Sequence, residues 1–339
     1  MGVNLYVHFP FCRRKCAYCA LHSRPGASAA ERAAYAGSLA ERIRGLGPHL
    51  AGLSTVYFGG GTPVLCDLSP VMDALGPHLG PDVEFTVELH PKDVSHDLLS
   101  RLRDGGANRI SMGVQSLEDD VLAAMGRGYA VADAERAFGV VRSLFENAGI
   151  DLIVGYPGER GDWADRLARL SGWGLAHCSV YALQNERALK GVPDDAAVLS
   201  RISAAAARLR DLGLERYEIS NYAVPGRECR HNMSVWRGED YFGLGEGAHG
   251  RLGLLRTVDY LGPDGRTGSV TPEEDFKERA IFRLRTREGL DASQPSAPPA
   301  WMPTLRKYAQ EGLLSQDGTV FRLTERGTEV CDSILADLV

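Results

Sequence analysis

Six short apolar, β-branched segments alternate with helix-like stretches across the first two-thirds of the chain, and this rhythm constrains the fold most. The strand segments are 4–9, 54–60, 83–89, 108–114, 149–155 and 177–183; helical patterns fall at 29–46, 69–79, 95–104, 131–147, 161–172 and 194–212. Ser28 before the first helix, with Glu31 three residues on, is a capping-box signature. Six strand–helix units in succession require a parallel sheet with right-handed crossovers, so the class is α/β. The sheet is either open and doubly wound or an incomplete barrel. Polar residues favour the barrel, whose functional groups gather at the C-terminal ends of strands. A cysteine-rich loop follows the first strand and Gly59-Gly60-Gly61-Thr62-Pro63 the second; Glu88 ends the third, Gln115 the fourth, and Asp151 lies in the fifth. A partial (β/α)6 TIM-like barrel is expected over residues 1–225.

Beyond it, a connecting segment (226–262) leads to a small C-terminal domain (263–339). Residues 261–275 and 290–303 read as loop-rich; helices are expected at 276–287, 303–311 and 324–337, with a hairpin turning at Asp317-Gly318. Helix, helix, hairpin, helix is a winged-helix-like layout. Such modules bind DNA or serve as scaffolds, and a net charge of −6 without a basic stretch favours the scaffold. The rival, a winged-helix regulator that senses a cluster, is disfavoured by the same charge. No run is long enough to span a membrane and the N-terminus carries no signal-peptide pattern. Seven cysteines, an odd number, then point to a reducing cytoplasm.

Cys12, Cys16 and Cys19 fall within eight residues, while the other four cysteines are scattered. Chance clustering of buried cysteines, a zinc site with His22 as fourth ligand, and a [4Fe–4S] cluster with one open iron are the alternatives. Zinc ligands usually come in two separated pairs, so the spacing favours the cluster. An open iron needs a ligand with its own pocket. The glycine run allows close backbone approach, and Glu88, Gln115, Arg127 and Asp151 supply acceptors for ammonium and hydroxyls and a cation for carboxylate.

These residues resemble the radical S-adenosylmethionine (SAM) superfamily, whose signature is C-x3-C-x2-C with an aromatic, here Tyr18, before the last cysteine. The resemblance implies that SAM chelates the open iron and that reduction cleaves it to a 5′-deoxyadenosyl radical. It also implies SAM contacts at Gly59, Gly60, Gly61, Thr62, Glu88, Gln115, Arg127 and Asp151, with Tyr6 and Tyr18 beside the cluster. "LYVHFPFCRRKCAYC", "NRISMGVQSLEDDVLAAMGRG", "YEISNYAVPGRECRHN" and "WRGEDYFGLGEGAH" resemble the branch containing oxygen-independent coproporphyrinogen III dehydrogenase and the HemW-type haem chaperones. The dehydrogenase carries an N-terminal extension and a fourth cysteine two residues after the third, where this chain has Leu21. Both differences favour the chaperone group, which implies haem as a further cofactor and acceptor haemoproteins as partners. A flavodoxin or ferredoxin would supply electrons, and any membrane contact would be peripheral, through the acceptor. A dehydrogenase or radical methyltransferase acting on a tetrapyrrole or other planar substrate is the enzymatic alternative. The group's haem-associated motif H-N-x-x-Y-W is matched at His231, Asn232 and Trp236, with Val235 replacing tyrosine. His231 is thus the expected axial ligand; His249, followed by Gly250 where the family usually has serine, is a second candidate.

Overall fold

The computed structural model describes residues 2–184, 188–293 and 299–338; part of the expected 290–303 loop lies outside them. Strands β1 (Val3–Phe9), β2 (Leu53–Gly60), β3 (Glu84–Leu89), β4 (Arg109–Gln115), β5 (Asn147–Val154) and β6 (His177–Ala182) lie side by side in chain order, all parallel. Helices α1 (Ala29–Leu46), α2 (Ser69–Leu75), α3 (His96–Asp104), α4 (Asp119–Met125), α5 (Val131–Arg142), α6 (Trp163–Ala168) and α7 (Asp195–Asp211) connect and follow them. Ser28 caps α1 with the expected reciprocal bonds to Glu31. The helix expected over 131–147 stops at Arg142, because the chain must turn in time for β5 to begin at Asn147.

One face of these strands carries Leu5, Val7, Val56, Phe58, Phe85, Val87, Ile110, Met112, Ile150 and Leu152, all buried in the main hydrophobic core. A strand alternates faces with a period of two, so the other face carries Asn4, Tyr6 and His8; Thr55 and Tyr57; Glu84, Thr86 and Glu88; Arg109 and Ser111; Asp151; and His177, Ser179 and Tyr181. A closed TIM barrel fills its interior with branched apolar side chains. Here the interior is polar, as befits a barrel that receives a polar ligand.

After α7, β7 (Glu215–Arg216) and β8 (Asn221–Ala223) add an antiparallel edge beside β6. Helix α8 (Arg230–Trp236) follows, then β9 (Tyr241–Leu244) pairs parallel to β1 on its far side. Strands β10 (His249–Leu252), β11 (Leu255–Val258) and β12 (Arg266–Ser269) extend that edge antiparallel. The sheet thus has twelve strands, and β6 and β9 pair with these extensions rather than with each other, leaving the barrel open.

Helix α9 (Pro272–Leu284) starts inside the stretch read as loop, because Thr271 caps it and Glu274 completes a capping box. The C-terminal unit continues with β13 (Leu290–Asp291), α10 (Met302–Gln310), the hairpin β14 (Leu314–Asp317) and β15 (Val320–Leu323), α11 (Glu325–Glu329) and α12 (Cys331–Ala336). The single last helix expected over 324–337 is broken at Val330, whose backbone leaves helical geometry. The unit has its own core, including Leu284, Trp301, Leu305, Phe321 and Ile334. Arg251 of β10 fastens it to the sheet: this side chain, only 3% exposed, pairs with Asp275 and Glu278 of α9. No helix among the described residues is long and apolar enough to cross a membrane.

Candidate functional site

The loop after β1 is clamped at its base, where Phe11–Cys12 pairs with Arg24–Pro25. Thr62 N–H donates to Phe11 O at 2.8 Å and Gly61 N–H to Phe9 O at 2.7 Å, tying the loop to the glycine run. Lys15 reaches across it to Leu21 O and Ser23 Oγ. Cys12, Cys16 and Cys19 are half-buried and outside any disulfide, whereas Cys66, Cys178, Cys229 and Cys331 are buried. Burial, then the neighbouring Cys19 and Cys16, pushes the Cys12 thiol above its ordinary range. Three thiolates crowded on one loop repel each other, which a bound cation relieves.

The donor set discriminates between metals. Among the described residues no three His, Cys, Asp or Glu side chains converge on a single ion. His22, the fourth ligand of the zinc alternative, instead turns to Glu246 at 3.3 Å. Three cysteine thiols on one loop, with His22 engaged by Glu246, are the donor set a cluster with one open iron takes. The residues fit the cluster.

Each glycine of the run meets a different neighbour. A Cβ at Gly59 would come within 3.1 Å of the Glu88 carboxyl, one at Gly61 within 2.5 Å of Phe11 O and 2.9 Å of Cys12 Sγ. Gly60, at φ +106°, would press a Cβ to 2.5 Å from the His8 ring. Glu88 accepts from Tyr57 OH at 2.8 Å and from Gly60 N–H at 3.1 Å. Burial, then the Asp151 charge, lifts its pKa to about 7 despite those two bonds. Asp151 accepts from Ser111 Oγ at 3.2 Å, and burial lifts its pKa too. Gln115 sits at φ 73° where the β4–β5 register slips, a strained setting of the kind found at ligand sites.

Arg127 reaches this site from the turn after α4. Its guanidinium donates to Gly113 O at 2.6 Å, Tyr129 OH at 3.1 Å, Tyr18 OH at 3.3 Å and Cys16 Sγ at 3.6 Å. Among the described residues it has no carboxylate within salt-bridge range, so its charge is available to an anionic ligand. Tyr6 bonds His8 Nδ1 at 3.0 Å and packs beside Tyr57. The structure therefore gathers Tyr18, the glycine run with Thr62, Glu88, Gln115, Arg127, Asp151 and the three cysteines toward the C-terminal mouth, with Tyr6 deeper in the barrel, its ring 6.3 Å from that of His231. Two acids and one cation face it, matching the ammonium, hydroxyls and carboxylate of an amino-acid nucleoside.

His231 and Trp236 of the H-N-x-x-Y-W match lie elsewhere. His231 is 4% exposed at the opposite end of the barrel, near the strand starts. Its Nδ1 bonds Thr55 Oγ1 at 2.7 Å, its N–H donates to Glu84, and its ring lies 5.3 Å from that of Tyr57. Burial, then Arg109, drops its pKa to about 3. In this conformation His231 plugs the barrel floor and is not presented to a planar ligand. Trp236 packs edge-on against Phe282 at 5.5 Å and under Arg285, joining the barrel to the C-terminal unit. His249 is exposed, and the β9–β10 register sets it opposite Gly243, which pairs with Tyr6. It lies on the same face of β10 as Arg251, which packs on α9. Gly250 admits no larger residue there, since a Cβ would lie 2.5 Å from Thr257 Oγ1. Leu21 is 56% exposed. The sequence reading missed the interior ring of Tyr57, Ser111, Ser179 and Tyr181, which the i, i+2 alternation of each strand did contain.

A model of the radical SAM superfamily matches residues 6–170, and a model of the HemN C-terminal domain matches 270–330. The protein named haem chaperone HemW from Mycobacterium tuberculosis is 31% identical, over 99% of this chain and 94% of its own length. The Bacillus subtilis protein of that name is 30% identical over 99% and 100%. The chain belongs to the HemW family of radical SAM proteins. Family membership implies a [4Fe–4S] cluster and SAM. A bovine relative, mitochondrial radical SAM domain-containing protein 1, is 31% identical over 86% of this chain and 70% of its own. Among solved structures, the coproporphyrinogen III oxidase HemN of Escherichia coli superposes with a TM-score of 0.82, at 23% identity, over 99% of this chain and 89% of that one. This establishes the fold, a radical-SAM partial barrel with a C-terminal domain.

Proposed function

We propose that this protein is a haem chaperone: it binds haem at the barrel mouth and passes it to acceptor haemoproteins in the cytoplasm. The supporting observation is full-length similarity, through barrel and C-terminal unit alike, to relatives that bear that name. Cys12, Cys16 and Cys19 hold the cluster. Gly59, Gly60, Gly61 and Thr62 offer backbone groups to SAM, Glu88 and Asp151 take its ammonium and hydroxyls, and Arg127 takes its carboxylate. Gln115 and Tyr6 border the same ligand, and Tyr18 holds Arg127. When bound, the cluster supplies a low-potential electron and an open coordination position.

The haem ligand in this reading is His249, which is exposed, whereas His231 is buried in the floor. Haem titration followed by absorbance tests this. His249→Ala is expected to lose the histidine-ligated spectrum, while His231→Ala lowers stability and leaves ligation intact. Ligation lost only in His231→Ala would return the role to the H-N-x-x-Y-W motif. One observation favours a second reading, a radical enzyme on a tetrapyrrole: the interior is lined by polar residues such as Tyr57, Ser111 and Ser179 rather than by a packed apolar core. Release of 5′-deoxyadenosine dependent on a porphyrinogen would decide for it.

A further inference from the structure

Arg109 opens β4 on the interior face of the barrel and is sealed there, at 1% exposure. Arg251, the other deeply buried arginine, has two acidic partners in Asp275 and Glu278. Arg109 has none: among the described residues no carboxylate lies within 4 Å of its guanidinium. One nitrogen of the fork donates a long bond to Thr86 Oγ1 at 3.4 Å, and Nε has no partner. An arginine does not shed its proton, so this buried charge must be met by anions at longer range.

The strand register names those anions. Arg109 stands beside Thr86, with Glu84 and Glu88 one inward step below and above on β3. On the other side it stands beside Asn147, two inward steps below Asp151 on β5. One step up β4, Ser111 lies beside Glu88 and donates to Asp151 at 3.2 Å. Glu84 is committed elsewhere, accepting from Cys229 Sγ and from the Arg230 and His231 N–H groups at the start of α8. The other groups around Arg109 are uncharged. Burial pushes the Cys229 thiol up to about 12 and the Tyr57 and Tyr217 phenols well above their ordinary range. Burial, then Arg109, holds His177 and His231 well below theirs. Arg109 is thus left facing Glu88 and Asp151. Burial lifts both carboxyls, and Arg109 opposes that lift in each. Its allies are Ser179, Ser111 and Arg127 at Asp151, and Tyr57 and Gly60 at Glu88.

We infer that Arg109 is a positioning residue, which supplies the buried counter-charge beneath the Glu88–Asp151 pair that faces SAM. The inference rests on the reading of that pair as the acceptors of the SAM ammonium and hydroxyls. Two buried carboxylates sharing a site repel each other, and alone one of them keeps its proton. A fixed cation below them lets both accept at neutral pH. Its depth matters: at the mouth the same charge would repel the SAM ammonium, whereas on the floor a layer of side chains stands between. Its lack of a direct ion partner has the same logic, since a salt bridge would take acceptor oxygens away from the ligand.

The test is the affinity of the cluster-loaded protein for SAM between pH 6 and 9. In wild type, affinity falls as the pH drops through about 7, where Glu88 takes its proton. Arg109→Gln removes the opposite charge, so the fall is expected about one pH unit higher. SAM then binds about fivefold more weakly than to wild type at pH 7, and within about twofold of it at pH 9. The SAM amine titrates alike in both proteins and cancels in the ratio. Arg109→Lys keeps the charge without the guanidinium fork and is expected to retain the wild-type midpoint. A deficit of the same size at every pH in Arg109→Gln makes the residue merely structural and overturns the inference. So does a raised midpoint in Arg109→Lys, which decides alone if Arg109→Gln does not load its cluster. A second readout needs no SAM. In metal-free protein the stability gained by Glu88→Gln levels off above about pH 7; in the Arg109→Gln background it is expected to keep growing to about pH 8. Levelling at the same pH in both backgrounds overturns the inference. A shifted plateau alongside SAM affinity that ignores pH keeps the counter-charge and removes the SAM reading of the pair.

Discussion

Glu88→Gln replaces a carboxyl poised near neutrality with an isosteric amide. The amide keeps both local bonds, its oxygen accepting from Gly60 N–H and its NH2 donating to Tyr57 OH. What it removes is titration. Glu88 moves from an ordinary 4.5 to about 7, mainly by burial and then by Asp151. A carboxyl whose folded pKa lies above its unfolded one holds its proton more tightly when folded. Its stabilising contribution is complete below the unfolded value and is gone once the pH has passed the folded value. With 1.36 kcal/mol per pKa unit, the loss between those limits is about 3 kcal/mol at most. Chemical unfolding of metal-free protein under reducing conditions should therefore show equal stabilities near pH 4. The variant should gain progressively, by up to about 3 kcal/mol, at pH 8. Asp151 titrates in both proteins and cancels to first order. The same change should cost function: the cluster-loaded variant loses the anion facing the SAM ammonium and should bind SAM about tenfold more weakly at pH 8. A stability difference that is the same at pH 4 and pH 8 would refute this account of Glu88.

Further outcomes follow from the geometry. Cys16→Ala should abolish cluster assembly, read as loss of iron and sulfide and of the brown absorbance after anaerobic reconstitution; full iron content would sink the ligand assignment. Gly61→Ala forces a Cβ against Phe11 O and Cys12 Sγ, so it should lower cluster retention while leaving the C-terminal unit's stability unchanged. Arg251→Ala leaves Asp275 partly compensated by Arg256 and Arg279, so a loss of about 3 kcal/mol is expected, the low end for breaking a buried ion pair. Urea unfolding of the metal-free protein measures it.

The barrel was legible because each strand's outward face is an unbroken apolar code, as in Leu5-Val7-Phe9 and Phe85-Val87. The site was legible where it is local: the cysteine spacing, the glycine run and residues at strand ends. Two things were not. Val56 and Tyr57 both read as β-formers, and only the sheet shows that Tyr57 faces inward to hold Glu88. His231 opens the H-N-x-x-Y-W match in sequence, but its side chain is directed to the barrel floor by Thr55, on a strand 176 residues away. Such long-range pairing leaves no local trace. The C-terminal helix start was misplaced for a simpler reason: Pro272 reads as loop, although proline in the first helical turn costs nothing.

The central claim is that this chain carries haem to acceptors, and the most direct measurement is transfer itself. Protein loaded with one equivalent of haem is mixed with an apo-haemoprotein, and the acceptor's Soret band is followed over time. The account predicts transfer faster than spontaneous loss of haem to a passive scavenger, an advantage that His249→Ala loses. Transfer no faster than passive release, from wild type and variant alike, would contradict it.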